Sequence, residues 1–167
     1  MVRIIERISN ATGVIAGWLI APLVFATVYE VIARYVFNAP TIWAYEIGYL
    51  MTGSSFLLGM AYALSRDAHI RIDVLSAMLS QRTKAVVDLV CYVGLLIPFL
   101  AWLTHLLWTR AYDAMISGEK SGQSAWNPPL WPFRTVFFLA FALLLLQVIA
   151  EVIKCVRRLR GADKDAR

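Results

Sequence analysis

Four long apolar stretches limit this chain more than any other feature. They run from about Gly13 to Ala33, Ala44 to Leu64, Ala85 to Trp108 and Phe133 to Ile153. Each has about the 20 mostly apolar residues that a helix needs to cross a bilayer. In hydrocarbon every backbone N–H and C=O must be satisfied within the segment, so helices are expected there. The runs are too long for strands and do not alternate as strands do. Composition agrees: the chain is 60% hydrophobic and 16% charged, against about 25% charged in a soluble domain. The expected fold is all-α, an integral membrane four-helix bundle forming one domain over residues 1–167.

Basic residues set the expected orientation, because cytoplasmic flanks of membrane helices collect Lys and Arg. Arg3 and Arg7 precede the first span, and Arg66, Arg71, Arg82 and Lys84 follow the second. The tail adds Lys154, Arg157, Arg158, Arg160, Lys164 and Arg167. Only Arg34, Arg110, Lys120 and Arg134 fall on the other side. Both termini are therefore expected in the cytoplasm. This sorting also explains the net charge of +5 without invoking nucleic acid.

Arg3 and Arg7 before an apolar run also resemble a secretory leader, with "VFA" at 24–26 as a cleavage site. Glu6 in the basic region, and a run longer than the roughly 7–15 apolar residues of a leader core, favour an uncleaved first helix. In "VRIIERISNAT", residues 2–12, Val2, Ile4, Ile5 and Ile8 gather on one helical side. Arg3, Glu6 and Arg7 lie mostly on the other. The pattern predicts an interfacial amphipathic helix, with Asn10 or Thr12 capping the span that follows.

Two connections lie on the outer side. In the first, "RYVFNAPTIWAYE" at 34–46, Asn38-Ala39-Pro40 reads as a turn. Tyr35, Trp43 and Tyr45 suit the aromatic belt at lipid headgroups. The second, roughly 110–132, holds Gly118, Gly122, Pro128, Pro129 and Pro132, which preclude one continuous helix. Trp126 and Trp131 should mark the bilayer edge.

Charges near spans are the first place to look for function. Glu30 and Arg34 lie four apart with the acid first, the favourable order for a helical ion pair. Glu46 opens the second span, where a carboxylate complements the helix dipole, and it is within reach of Arg34. One reading is a charge cluster that fixes the first hairpin. The other is a substrate or ion site. Their edge position favours the first, because transport carboxylates sit near the midplane. No span carries a charge at its centre. Thr27, Thr52, Ser54 and Ser55 are the nearest polar groups, and Asp88 is placed to pair with Lys84. Gly53, Ser54, Ser55 and Gly59 form a small-residue stretch suited to close helix packing, and Pro98 should kink the third helix.

On the inner side, "RDAHIRIDVL" at 66–75 places His69, Arg71 and Asp73 at alternate positions. On an extended strand they would share one face and suggest a catalytic trio. No fourth polar group accompanies them. The preferred reading is a cytoplasmic anchor opened by Arg66. Asp73 would cap a short interfacial helix at about 74–79, while His69 and Arg71 face headgroups or a partner.

Chemistry of the chain's own has little to work with. His69 and His105 fall at opposite ends of a span, roughly 30 Å apart, so they cannot ligate one haem iron. Cys91 and Cys155 form no CxxC pair. No phosphate loop or paired-carboxylate arrangement is present. No catalytic residue, cofactor or metal is therefore expected, and the chain reads as a scaffold or accessory subunit. Two other readings stay open: a self-sufficient small homodimeric membrane transporter, and a membrane redox subunit.

The segments "RYVFNAPTIWAYE" and "FLLGMAYALSRDAHIRIDVL", followed by a third span, a Pro/Trp-containing outer loop and a fourth span, resemble one family. It is the small membrane subunit, the DctQ-type or Q subunit, of TRAP (tripartite ATP-independent periplasmic) transporters. The likeness runs from about Val28 to Leu146. It is carried most by Arg34-Tyr35, Asn38, Pro40, Trp43, Glu46 and the run from His69 to Asp73. The resemblance implies pairing with a large membrane subunit that holds the sodium and substrate sites and moves elevator-fashion. It also implies a periplasmic substrate-binding protein, and uptake of an organic acid driven by the sodium gradient. The chain would then be a fixed scaffold in the bacterial inner membrane. Its expected partners are the large subunit, the binding protein and membrane lipids, with no nucleic acid.

Overall fold

The computed structural model describes residues 2–66 and 81–162. Helix α1 covers Val2–Trp18, α2 Ile20–Tyr35, α3 Ala44–Ser65 and α4 Gln81–Cys91. Helix α5 covers Ile97–Ser117 and α6 Trp131–Ala162. Only Leu19 separates α1 from α2, and a π-helical turn, Tyr92–Leu96, joins α4 to α5. Four continuous helical stretches are therefore long and apolar enough to cross a membrane: Val2–Tyr35, Ala44–Ser65, Val86–Ser117 and Trp131–Arg157. Among the described residues there is no strand, only one antiparallel bridge between Lys120 and Pro129. The fold is all-α, as expected. His69, Arg71, Asp73 and the interfacial helix expected at 74–79 lie outside the described residues.

Several boundaries differ from the sequence reading, each for a local reason. Helix α1 runs unbroken through Asn10 and Thr12. The Thr12 hydroxyl donates to the Ser9 carbonyl at 2.9 Å inside the helix, so it does not cap a new one. Helix α5 continues past Trp108 to Ser117 and stops where Gly118 takes a left-handed conformation, φ 63°. Pro98 does perturb the third span, but through the turn before it. Its ring would press on the carbonyl four residues back. The ladder widens there, and Ile97 N–H donates to the Tyr92 carbonyl, five residues back.

Helix α6 is the hub, packing on α1, α3, α4 and α5. Leu64, Leu100, Leu144 and Val148 make a small core, with Met60, Leu96 and Phe141 against it. Lipid solvates apolar side chains as well as a core does, so close packing and interhelical hydrogen bonds must hold such a bundle. Both are present. A Cβ on Gly13 would lie 2.5 Å from Tyr62 Cγ, and one on Gly53 would lie 2.8 Å from Phe133 Cζ. Ser55 Oγ donates to the Ala16 carbonyl at 2.7 Å. Gly59 differs: a Cβ there would meet nothing within 4 Å.

A polar chain ties α1 to α6 at the end where α1 starts and α6 finishes. Buried Ser9 Oγ donates to Oε1 of buried Gln147 at 2.8 Å, and Gln147 Nε2 donates to Glu151 Oε1 at 3.0 Å. Lys154 Nζ then bridges Glu151 at 2.7 Å and Glu6 at 2.6 Å. Residues 2–12 thus press Ile5, Glu6 and Ser9 onto the bundle while Ile4 and Ile8 stay exposed. Gly13→Leu should drive a side chain into the root of Tyr62 and cost about 1–3 kcal/mol, lowering the thermal midpoint in detergent. Gly59→Leu should leave that midpoint unchanged. Equal midpoints for the two variants would contradict this packing.

Candidate functional site

At the opposite end, two carboxylates organise the connections. The first is Glu30, in the last turns of α2. Arg34 Nε donates to its Oε1 at 2.8 Å. Its Oε2 accepts from the Thr41 N–H at 2.8 Å and from the Thr41 hydroxyl. One carboxylate thus holds both its own helix and the connection beyond it. The chain reverses at Asn38, which adopts φ 51°, a left-handed conformation that Asn tolerates better than most residues. Ala39 N–H donates to the Ala33 carbonyl at 2.9 Å, and exposed Pro40 leads out of the turn. Trp43 stacks on Tyr29 at 5.6 Å between ring centroids, and Tyr29 stacks in turn on Phe25.

Glu46 is the second centre. It lies in the first turn of α3 and is only 2% exposed. The Ser121 hydroxyl donates to its Oε1 at 2.8 Å, and the Ser124 hydroxyl donates to the same oxygen. These serines are 75 and 78 residues away in sequence. Their loop is closed on itself. Ser121 N–H donates to the Pro128 carbonyl at 3.0 Å, and Leu130 N–H to the Glu119 carbonyl at 2.9 Å. Gly122 N–H donates to Asn127 Oδ1 at 2.8 Å, and Arg134 donates from Nη2 to the Glu119 carboxylate. Glu46 pins this closed loop to the start of α3.

The contact expected between Glu46 and Arg34 is not made. Arg34 turns back to Glu30, and Glu46 is taken up by serine hydroxyls. The single cluster of the sequence reading is therefore two separate clamps. Thr41, Ser121 and Ser124 were not legible as partners. Serines in a loop carry no mark of a contact so distant in sequence. A buried carboxylate, once known to be buried, does require donors, and that is the one available signal.

At the other end, Arg66 closes α3. Its N–H donates to the Tyr62 carbonyl at 3.2 Å, and its guanidinium sits 5.4 Å from the centre of the Tyr62 ring, within cation–π range. Gly53 is enclosed against Phe133 while Gly59 is open, so the two glycines serve different faces of α3. Among the described residues, no group of three or more His, Cys, Asp and Glu side chains is placed to hold a metal ion. A groove of about 650 Å³ runs between α2 and α3, lined by Thr27, Glu30, Arg34, Tyr45, Gly48 and Thr52. Its carboxylate is engaged by Arg34 and Thr41, which leaves the clamp without an idle acid. This arrangement holds segments together.

Glu46→Ala should strip two hydroxyls of their acceptor and cost about 1–3 kcal/mol. Hydrogen exchange should then accelerate at amides 119–128, while the α1–α6 contact stays protected. Unchanged exchange in the loop would show that Glu46 does not hold it.

Comparison with known proteins gives a family. Residues 23–158 match the family described as tripartite ATP-independent periplasmic transporters, DctQ component. The match begins in α2 and ends in α6, so it includes both clamps. The chain is also similar to the sialic acid TRAP transporter small permease protein SiaQ of Vibrio cholerae serotype O1, with 27% identity over 77 residues. That stretch is 46% of this chain and 44% of SiaQ, so the chain spans less than half of the curated relative it matches. No solved structure matches. With the family match covering most of its length and four helices able to span a membrane, the chain belongs to the DctQ family of small permease subunits of TRAP transporters.

Proposed function

We propose that this chain pairs with a large membrane subunit and serves as the immobile neighbour of a moving transport domain. The system would take up an organic acid across the bacterial inner membrane, driven by the sodium gradient and supplied by a periplasmic binding protein. The observation that carries this reading is how the polar groups are used. The acids at the clamps and in the α1–α6 chain are engaged in holding segments together. The outer surface, by contrast, is greasy: Phe56 is 78% exposed and Tyr35 80%. Apolar surface on that scale calls for lipid or a partner.

In this reading both termini are cytoplasmic, as the Lys and Arg distribution supports. Glu30, Arg34, Asn38, Pro40 and Trp43 hold the first periplasmic hairpin. Glu46 holds the second loop beside it, and together they give the binding protein a stiff docking face. Gly53 serves packing within the chain, while open Gly59 suits close approach by a helix of the large subunit. Residues 2–12 and 74–79 lie at the inner interface. Arg66, His69, Arg71 and Asp73 anchor that side, where each basic residue contributes about 1 kcal/mol of attraction to anionic headgroups.

Co-expression with the large subunit should yield a stoichiometric complex on purification. A chain that purifies alone from cells making both would sink the proposal, and a haem or flavin absorbance band would favour a redox subunit instead. Trp43→Ala and Glu46→Ala should lower sodium-dependent uptake several-fold with substrate preference unchanged. A changed preference would mean direct contact with substrate. For orientation, an impermeant thiol reagent added to intact cells with a permeable outer membrane should label Gln123→Cys. It should not label Ala166→Cys, each tested in a chain lacking Cys91 and Cys155. The reverse labelling would invert the topology.

A further inference from the structure

A second cavity, about 310 Å³, opens between α3, α5 and α6 at the loop end. Tyr49, Leu107, Arg110, Phe133, Arg134 and Phe137 line it. Leu130 completes the lining, so the two arginines are its charged members among mostly apolar side chains. Arg110 and Arg134 stand toward the loop end of their helices, and Trp131 lies one turn above Arg134. Tryptophan at such a position marks headgroup depth. Leu107 and Phe137 lie about one turn deeper, a step of roughly 5 Å along each axis. The aromatic wall is continuous, with Phe133 at 5.3 Å from Tyr49 and 4.8 Å from Phe137.

The lining holds two arginines and no acid. Arg134 is paired with Glu119. Arg110 forms no ion pair among the described residues. Asp113, three residues on, is exposed and lies outside the lining. The exposed Arg110 thus shares the cavity with apolar side chains and has no ion-pair partner among the described residues. A guanidinium at the membrane edge seeks an anion, and its planar fork matches phosphate oxygens two at a time. A free phosphate would satisfy the arginine but leave Leu107 and Phe137 uncovered. A phosphodiester carrying an acyl chain satisfies both.

We infer that this cavity binds the phosphodiester headgroup of an anionic phospholipid from the leaflet at the loop end, with the start of an acyl chain on the Phe133–Phe137 wall. The site is distinct from the basic inner loop and tail, and it does not depend on the transport reading. Arg110 supplies the unpaired charge, while Arg134, braced by Glu119, supplies the second donor group. Two arginines without an acid in the lining favour an anionic headgroup over a zwitterionic one.

Native mass spectrometry of the delipidated full chain in detergent tests this. Phosphatidylglycerol, phosphatidylcholine with the same chains, and inorganic phosphate are titrated separately and in competition. The expected result is a tight phosphatidylglycerol adduct that phosphatidylcholine does not reproduce. Arg110→Gln should weaken that adduct about tenfold or more, the loss of a charge-assisted contact, and Arg110→Lys should restore part of it. Because Arg110 holds no ion pair, an unchanged thermal midpoint for Arg110→Gln separates lipid loss from misfolding. Arg110→Lys carries the comparison if that midpoint falls. Equal adducts in wild type and Arg110→Gln would overturn the inference, as would equal retention of the two lipids. Displacement of the lipid by an equal concentration of inorganic phosphate would assign the site to a free anion instead. A photo-crosslinker at Leu107 should capture lipid in native membranes; capture of a protein there would also overturn the assignment.

Discussion

Apolar burial, which drives most folds, gives a bundle in lipid little reason to close, because the acyl chains are as apolar as the core. The architecture of this chain depends on that constraint. What holds α1, α3 and α6 together is steric intimacy at Gly13 and Gly53 and a few polar contacts that have no substitute in hydrocarbon. Ser9, Gln147, Glu151, Lys154 and Glu6 form one continuous chain of donors and acceptors at the end where α1 starts and α6 finishes. Glu46 with Ser121 and Ser124 does the same at the loop end. Removing one member strands its partner, and a buried polar atom without a partner is costly. The bundle is thus fastened at both ends and greased along its sides.

That distribution is what the proposed scaffold role would require. A transport path needs polar groups that change partners, and it places them near the midplane. Here Glu30 is committed to Arg34 and Thr41, and Glu46 to two serines. Lys154 is shared between two acids. The exposed aromatic and aliphatic side chains, in contrast, face outward and are free to meet lipid or a partner helix. Membership in the DctQ family fits a part whose value lies in keeping its shape.

Parts of this were readable before any coordinates. The spans were, because length and hydropathy alone determine whether a segment can cross a bilayer. Their ends were less so. Helix α5 outruns its apolar stretch because nothing between Trp108 and Gly118 breaks a helix, and hydropathy does not report that. Pro98 signalled an irregularity, but the strain is absorbed upstream as a π turn at Tyr92–Leu96. Glu30 with Arg34 was legible because both lie on one helix four residues apart. Glu46 with Ser121 was not, since the contact exists only after α3 and the second loop have come together. The α1–α6 chain lies between these cases. Gln147, Glu151 and Lys154 share a face by spacing alone, but the bond from Ser9 to Gln147 and the one from Lys154 to Glu6 required the tertiary fold.

The proposed scaffold role leaves the transport path to the large subunit. Reconstitution into sodium-free liposomes tests this, with the binding protein, candidate organic acids and either sodium or potassium outside. The scaffold role predicts no uptake by this chain alone, with sodium or without. Sodium-dependent uptake should appear only when the large subunit is reconstituted with it. Sodium-driven uptake by the isolated chain would contradict that role.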